Sequence, residues 1–494
     1  MVIPAPLYVL LGPLIIGLAG ILGERMKFDK FRELIAIIMS AVNVGAVYLL
    51  YNMVQAAPDK ILVVNLVAMP PIAACLEIDM LGIFMAFSAA SLGLFATVYS
   101  YNYMEHDTRL TEFYALLSAL VVSMMGVAFA GDFFTLFVAW EMMGISSYVL
   151  VAFRKESWGP IEAGFKYMVM GSIGSTVLFL GIALLYGMTG TVNFAQISSV
   201  IHGQPISMWL YLVFAVMIVG FGIKSAIVPM HTWLPDAHPE APTPISAMLS
   251  GMLIETALYG LSRIMFILYE PEVFKLPIAT LALITMCFAN IMALTQKDIK
   301  RMLAYSSIAQ MGYMLVGLSS GTAYGMQGVF LHVFNHSLMK GLAFLGAGSL
   351  AHVTETRNID EMKGVGNRMP LTTLSLFIAL LGLGGVPGTN GFMSKFVLFG
   401  SAIGVGMWWL AVAGVLNSAF SMAYYLRTMY VLISEPVDRV KNLKEAPMLM
   451  VAVSVVMAVL IVITGIFPQM TSHYAKQAAE ALVTSLGSYV GAVV

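Results

Sequence analysis

Apolar runs about twenty residues long, separated by short polar stretches, recur along the whole chain. At about 20 apolar residues per membrane crossing, the chain divides into about 14 predicted spans, at 5–23, 34–54, 80–100, 113–130, 133–153, 164–187, 207–230, 242–268, 276–294, 302–319, 326–350, 371–400, 405–433 and 448–468. The 62–75 stretch is too short and too proline-rich to be another. The first run, Pro4 to Gly23, has no basic start and is followed by basic residues, which predicts a retained span and not a cleaved signal. Sixteen of the 25 Lys and Arg residues fall in loops after odd-numbered spans, three in the other loops and the tail, and six inside spans. The positive-inside bias then puts the sixteen in the cytoplasm, so both termini are expected on the outer side of a cell membrane.

Composition closes off other classes. Apolar residues make up 60% of the 494 and charged residues 10%, and no polar stretch is long enough for a soluble domain. An all-α polytopic protein surrounded by lipid follows, with residues 1–494 as one membrane domain. A net charge of −1 argues against nucleic acid. Cys75 and Cys287 form no CxxC and no Cys/His cluster, and there is no GxGxxG, so no iron–sulfur centre, zinc, flavin or nicotinamide is expected in this chain.

The informative residues are those that break the apolar pattern. Of the six in-span basic residues, Arg263, Arg427 and Lys166 lie near span ends and are expected to snorkel, which leaves Lys224, Lys340 and Lys395 at depth. Glu141 and Glu255 lie mid-span, Asp79 and Asp132 at span edges, and His332 and His336 share one span. Three lysines and two glutamates in lipid cost about 3 kcal/mol each on insertion scales, about 15 kcal/mol together, before pairing or water relieves it. Mixed signs suggest mutual compensation. Every member of the set can exchange a proton near neutral pH once buried, and arginine, which cannot, is absent from it. A proton relay is therefore the expectation, against static ion pairs that lock helices together.

His332, His336 and Lys340 are spaced i, i+4, i+8, which lays them along one helix face over about 12 Å of rise. Relay, ordinary packing and a metal site are the three readings of the histidines. Against a metal, there is no HExxH and no third ligand nearby, and Lys340 repels a cation. Two lysines sit beside predicted helix breaks. Lys224 precedes Pro229, whose missing N–H frees the carbonyl of Ser225, and Lys395 follows Pro387, Gly388 and Gly391. Broken helices in membranes line wet cavities and mark ion sites, and two of them 171 residues apart suggest two related halves.

The segments GDFFTLFVAWEMMGISSYVLV, GIKSAIVPMHTWLPDAHPEAPTPISAML, KDIKRMLAYSSIAQMGYM, HVFNHSLMKGLAFLGAGSL and GVPGTNGFMSKF resemble the signature regions of the antiporter-like subunits. That family includes the M- and N-type subunits of complex I, the D subunit of multisubunit cation/proton antiporters, and subunits of membrane-bound hydrogenases. The resemblance covers about residues 75–430. It implies about 14 transmembrane helices with two inverted five-helix repeats, each with a broken helix, and a hydrated polar axis. The corresponding divisions are 1–110 for N-terminal helices, 111–268 and 276–433 for the repeats, and 448–494 for the last helix and tail. Residue by residue, Glu141 matches the shared glutamate, Lys224 its lysine partner, His332, His336 and Lys340 the central relay, and Lys395 the exit residue. Many relatives have lysine where this chain has Glu255, so the central link is expected to be acidic here. About 26 residues follow the last span, so no long lateral helix is expected.

The resemblance implies an ion-translocating subunit of a complex I-like or hydrogenase-like oxidoreductase, moving protons, alone or coupled to sodium. Glu141 and Lys224 would act as an electrostatic switch. Iron–sulfur clusters or other redox cofactors would sit in partner subunits, among them a peripheral redox module and further antiporter-like membrane subunits. The rivals are a gradient-driven multisubunit cation/proton antiporter and a solitary solute transporter.

Overall fold

The computed structural model describes residues 4–26, 30–67, 74–202 and 207–483. Lys27, residues 68–73 of the short 62–75 stretch, and 484–494 of the tail lie outside the described residues. In chain order the helices are α1 (Gly12–Met26), α2 (Phe31–Ala56), α3 (Met80–Tyr103), α4 (Leu110–Phe129), α5 (Phe133–Val151), α6 (Trp158–Thr189), α7 (Phe194–Ile201), α8 (Met208–Lys224), α9 (Leu234–Glu240), α10 (Thr243–Met248), α11 (Ile254–Leu268), α12 (Pro271–Leu294), α13 (Ile299–Ser319), α14 (Ala323–Thr354), α15 (Pro370–Gly384), α16 (Asn390–Gly404), α17 (Trp408–Ile433), α18 (Met448–Ile466) and α19 (Gln469–Val483). The starts are written in the sequence. Asp79, Asp132 and Asn193 accept from Gly82 N–H (2.7 Å), Thr135 N–H (2.7 Å) and Gln196 N–H (3.0 Å), satisfying amides that a helix N-terminus leaves unpaired.

Each of the fourteen predicted stretches overlaps a helix, and two of them, 207–230 and 371–400, contain non-helical chain. Among the described residues ten helices are long and apolar enough to cross a membrane, or eleven if the bent pair Ile359–Asn367 and Pro370–Gly384 counts as one. The stretches that fall short of that test are α8, α13, α14 and the α15–α16 pair. They are the broken or polar ones, and α8, α14 and α16 among them carry Lys224, His332, His336, Lys340 and Lys395. Their setting explains why such helices are tolerated. Helix α13 is buried at every residue but Arg301, and α14 is buried over most of its length, so these two helices are solvated by protein and not by lipid.

The all-α expectation needs one correction. Part of the 62–75 stretch forms an antiparallel hairpin, β1 (Leu62–Val67) with β2 (Ala74–Ile78). It is held by the cap of α5, since Asp132 also accepts from Cys75 N–H at 2.7 Å.

Ion pairs join the loops after odd-numbered spans into one polar face: Arg154 with Asp107 (2.9 Å), Arg301 with Asp236 (3.0 Å), Arg357 with Glu240 (3.0 Å) and Arg439 with Glu361 (3.4 Å). Lys166 and Arg427 reach this face as expected, pairing with Asp236 (3.2 Å) and Asp360 (3.9 Å). Arg263 does not snorkel. It is buried at the opposite end and bonded to Asp79 at 2.9 Å, so arginine is present in the interior after all. Lys300, counted among the loop residues, is buried too and donates to the Ala241 carbonyl at 2.7 Å.

Candidate functional site

The first helix break begins where α8 stops at Lys224. Residues 225–233 are non-helical, with Ala226 at φ +53°, and the indole of Trp233 caps the Ile223 carbonyl at 2.7 Å. Lys224 is enclosed, and its ammonium donates to Tyr148 Oη at 3.3 Å and lies 5.4 Å and 5.0 Å from the ring centroids of Trp140 and Tyr148. Aromatic faces attract a cation, most strongly when it is desolvated. Gly144 leaves room for the ammonium, since a Cβ there would lie 2.8 Å from Nζ.

Glu141, Gly144 and Tyr148 follow at i, i+3, i+7 on one face of α5. Glu141 is half-buried, with Oε1 enclosed and without a hydrogen-bond partner. Among the described residues no ion pair within 4.0 Å joins it to Lys224, so the predicted pair is apart in this conformation.

The second break is built differently. Helix α15 ends at Gly384, and Gly385 takes φ +81°, a left-handed value that favours glycine. The residue four beyond Leu383 is Pro387, which has no N–H, so the Leu383 carbonyl lacks a helical donor. Lys395 fills that role from α16, donating to Leu383 O at 2.6 Å and to Ser418 Oγ at 2.8 Å, over the ring of Tyr313 at 4.8 Å.

Between the breaks lies the central cluster on α11, α13 and α14. A widened turn, in which Ile254 N–H reaches the Leu249 carbonyl, precedes Glu255. Such turns recur at functional positions. Glu255 contacts Nδ1 of His336, and both side chains are fully buried. The His336 and His332 rings stack with centroids 5.9 Å apart. His332 is held at both nitrogens, Nδ1 by Ser394 Oγ at 2.8 Å and Nε2 by Gln310 Oε1 at 3.1 Å. The Gln310 amide donates to Leu383 O at 3.0 Å, which orients its oxygen toward the ring. An amide oxygen only accepts, so the network assigns the hydrogen of neutral His332 to Nε2 and leaves Nδ1 to accept from Ser394. Lys340, one turn beyond His336, donates to Leu303 O at 3.2 Å and Ser306 Oγ at 2.6 Å.

Thus Glu255, His336, His332 and Lys395 belong to one connected group through Gln310 and Leu383, with Lys340 beside it, while Lys224 and Glu141 stand apart. Among the described residues none of the three lysines is in an ion pair within 4.0 Å, and hydroxyls, carbonyls and aromatic faces receive all three ammonium groups. The charged residues were visible in the sequence, but Tyr148, Ser306, Gln310, Ser394 and Ser418 were not picked out. Ser306, Gln310 and Tyr313 recur at i, i+4, i+7, a polar stripe on α13 whose first two members meet Lys340 and His332 of α14 and whose third lies under Lys395 of α16. His238 on α9 was also missed. It is fully buried against Phe344, ring centroids 4.8 Å apart, with neither nitrogen hydrogen-bonded to protein.

The sequence profile of the NADH:quinone oxidoreductase/Mrp antiporter transmembrane family matches residues 130–421, and that of the complex I chain 5 N-terminus matches residues 70–114. F(420)H(2) dehydrogenase subunit N of Methanosarcina mazei is 32% identical over 423 residues, covering 83% of this chain and 85% of the relative. NADH-quinone oxidoreductase subunit N of Trichlorobacter lovleyi is 36% identical over 374 residues, covering 75% and 77%. Among solved structures, a chain of the archaeal membrane-bound sulfane sulfur reductase superposes with TM-score 0.89 at 27% identity, covering 98% of this chain and 99% of that one. A chain of the Mrp complex from Dietzia sp. superposes with TM-score 0.90 at 20% identity, covering 99% and 100%, a likeness of fold alone.

Proposed function

From the premise that this chain belongs to the NADH:quinone oxidoreductase/Mrp antiporter transmembrane family, we propose that it is the antiporter-like, ion-translocating subunit of a membrane-bound oxidoreductase complex. The observation that carries this reading is the buried group Glu255–His336–His332–Gln310–Leu383 O–Lys395, a set of proton-exchanging residues joined across the interior of the bundle. The two relatives named above, at 32% and 36% identity, are a dehydrogenase subunit and a quinone oxidoreductase subunit, which favours a redox-driven complex over a gradient-driven antiporter.

In this reading the bundle crosses a cell membrane about 14 times, with repeats at 111–268 and 276–433, and the basic face is cytoplasmic. The presence of one lysine at a helix break in each repeat supports the division. Protons, alone or coupled to sodium, pass from the Lys224 end through Glu255, His336, His332 and Lys340 to Lys395. Closing Glu141 onto Lys224 holds its proton, and separation releases it toward the centre. Energy comes from redox cofactors in partner subunits, which include a peripheral redox module and other antiporter-like subunits. Purification of the intact complex, with partner subunits identified by mass, tests the assembly. Pumping into inverted vesicles tests the relay: Lys395→Ala in a fully assembled complex is expected to pump at about a hundredth of the parent rate, the scale of losing one positioned proton carrier. Undiminished pumping would falsify the role of Lys395.

A further inference from the structure

Lys340 has two neighbours of different chemistry. Behind it on α14 are the stacked histidines, to which no hydrogen bond joins it among the described residues. In front are hydroxyls: its ammonium donates to Ser306 Oγ at 2.6 Å, and Ser306 Oγ is in turn hydrogen-bonded to Tyr425 Oη. Both hydroxyls are completely buried, on α13 and α17. Gln310 lies one turn beyond Ser306 on α13, and its amide is bonded to the Leu383 carbonyl that seats Lys395. Two lines therefore leave the centre toward the second break, one through imidazoles to Gln310 and one through the hydroxyls of Ser306 and Tyr425.

We propose that the Ser306–Tyr425 hydroxyl pair is a proton bridge between Lys340 and the Lys395 cluster, the route on which transfer out of Lys340 depends. The inference rests on the relay reading above. A hydroxyl donates and accepts at once, so a chain of two can pass a proton without either becoming ionised for long. In the step, the Lys340 N–H bond breaks as Ser306 Oγ gains a proton. Ser306 passes its original proton to Tyr425, Tyr425 releases its own toward the second break, and an internal water carries that proton to the free amine of Lys395. Lys340 ends as a neutral amine and Lys395 as an ammonium, and the two hydroxyls are restored with their hydrogen bonds reversed. An imidazole line alone would have to begin with His336, whose Nδ1 is already engaged by Glu255.

Tyr425 packs edge-on against Tyr424 with ring centroids 4.5 Å apart, a contact that Tyr425→Phe preserves while deleting the hydroxyl. Pumping per assembled complex is measured in inverted vesicles for Tyr425→Phe, Ser306→Ala and Ser306→Thr, alongside Lys340→Ala. The bridge predicts a fall of about tenfold or more for Tyr425→Phe and Ser306→Ala, and recovery to at least about half for Ser306→Thr, because threonine restores a hydroxyl. If Tyr425→Phe and Ser306→Ala pump like the parent while Lys340→Ala is inactive, the histidines suffice and the bridge is wrong. Failure of Ser306→Thr to recover in an assembled complex also overturns it, since packing and not proton transfer would then explain the loss. Normal pumping by Lys340→Ala would instead refute the relay reading on which the bridge depends.

Discussion

The two helix breaks carry the same residue type and treat it in opposite ways. At the second break, Pro387 and Gly385 leave helix carbonyls without donors, and Lys395 is bound by one of them and by Ser418. At the first, the Ile223 carbonyl is taken by Trp233, and Lys224 is left with one phenol and two aromatic faces. A carbonyl is an acceptor only and holds an ammonium at a fixed point. Aromatic faces attract a cation from a broader set of positions, about 0.5–2 kcal/mol each. The difference teaches that a break creates polar backbone, but tertiary neighbours decide whether the lysine uses it. In the relay reading, Lys224 is the station that moves between partners and Lys395 the station that is held.

The severest way to break the comparison is to remove proton exchange while keeping charge. Lys224→Arg and Lys395→Arg are each expected to reduce pumping per complex by about a hundredfold, because guanidinium does not deprotonate in proteins. If Lys224→Arg alone pumps normally, the first break holds a static cation and the two breaks differ in function as well as in geometry.

Glu255→Gln probes the group between the breaks. It retains shape and one acceptor oxygen but no longer titrates, so pumping is expected to fall about tenfold with assembly unchanged, and Glu255→Asp to retain part of it. A variant that assembles poorly while its surviving complexes pump at the parent rate would mark Glu255 as a structural partner of His336.

A finer contrast comes from the seats themselves. Tyr148→Phe removes the hydrogen bond Lys224 makes, whereas Ser418→Ala leaves Lys395 on Leu383 O. A hydrogen bond to a charged group contributes about 1.5–3 kcal/mol. Tyr148→Phe is therefore expected to cost several-fold more pumping than Ser418→Ala, and equal losses would show that the carbonyl seat does not hold Lys395 on its own.

The smallest perturbation concerns sidedness. Lys363→Cys and His202→Cys, in a background lacking Cys75 and Cys287, are expected to be labelled from opposite sides of the membrane with activity intact. Lys363 is exposed on the face joined by ion pairs, and His202 lies near Glu270 on the other. Labelling of both from one side would overturn the topology.

What the sequence determined by itself is the membrane class, the helical nature of the long apolar stretches, the clustering of basic residues in alternate loops and which charged residues interrupt the apolar runs, since apolar run length and loop charge act locally along the chain. Pro387 and the spacing of His332, His336 and Lys340 were equally legible, because a missing N–H and a helical period are properties of the local backbone. Only the tertiary structure decided who meets whom. Glu255 falls to His336, 81 residues away, Gln310 links His332 to the second break, and Arg263 turns inward to Asp79. The sequence suggested Glu141 and Lys224 as an electrostatic switch, and the fold adds Tyr148 as the hydrogen-bond partner of Lys224. Charged residues announce themselves in an apolar chain because each costs free energy to bury. The uncharged hydroxyls and amides that seat them are inexpensive to bury once paired, and those pairs form only when distant helices are packed together.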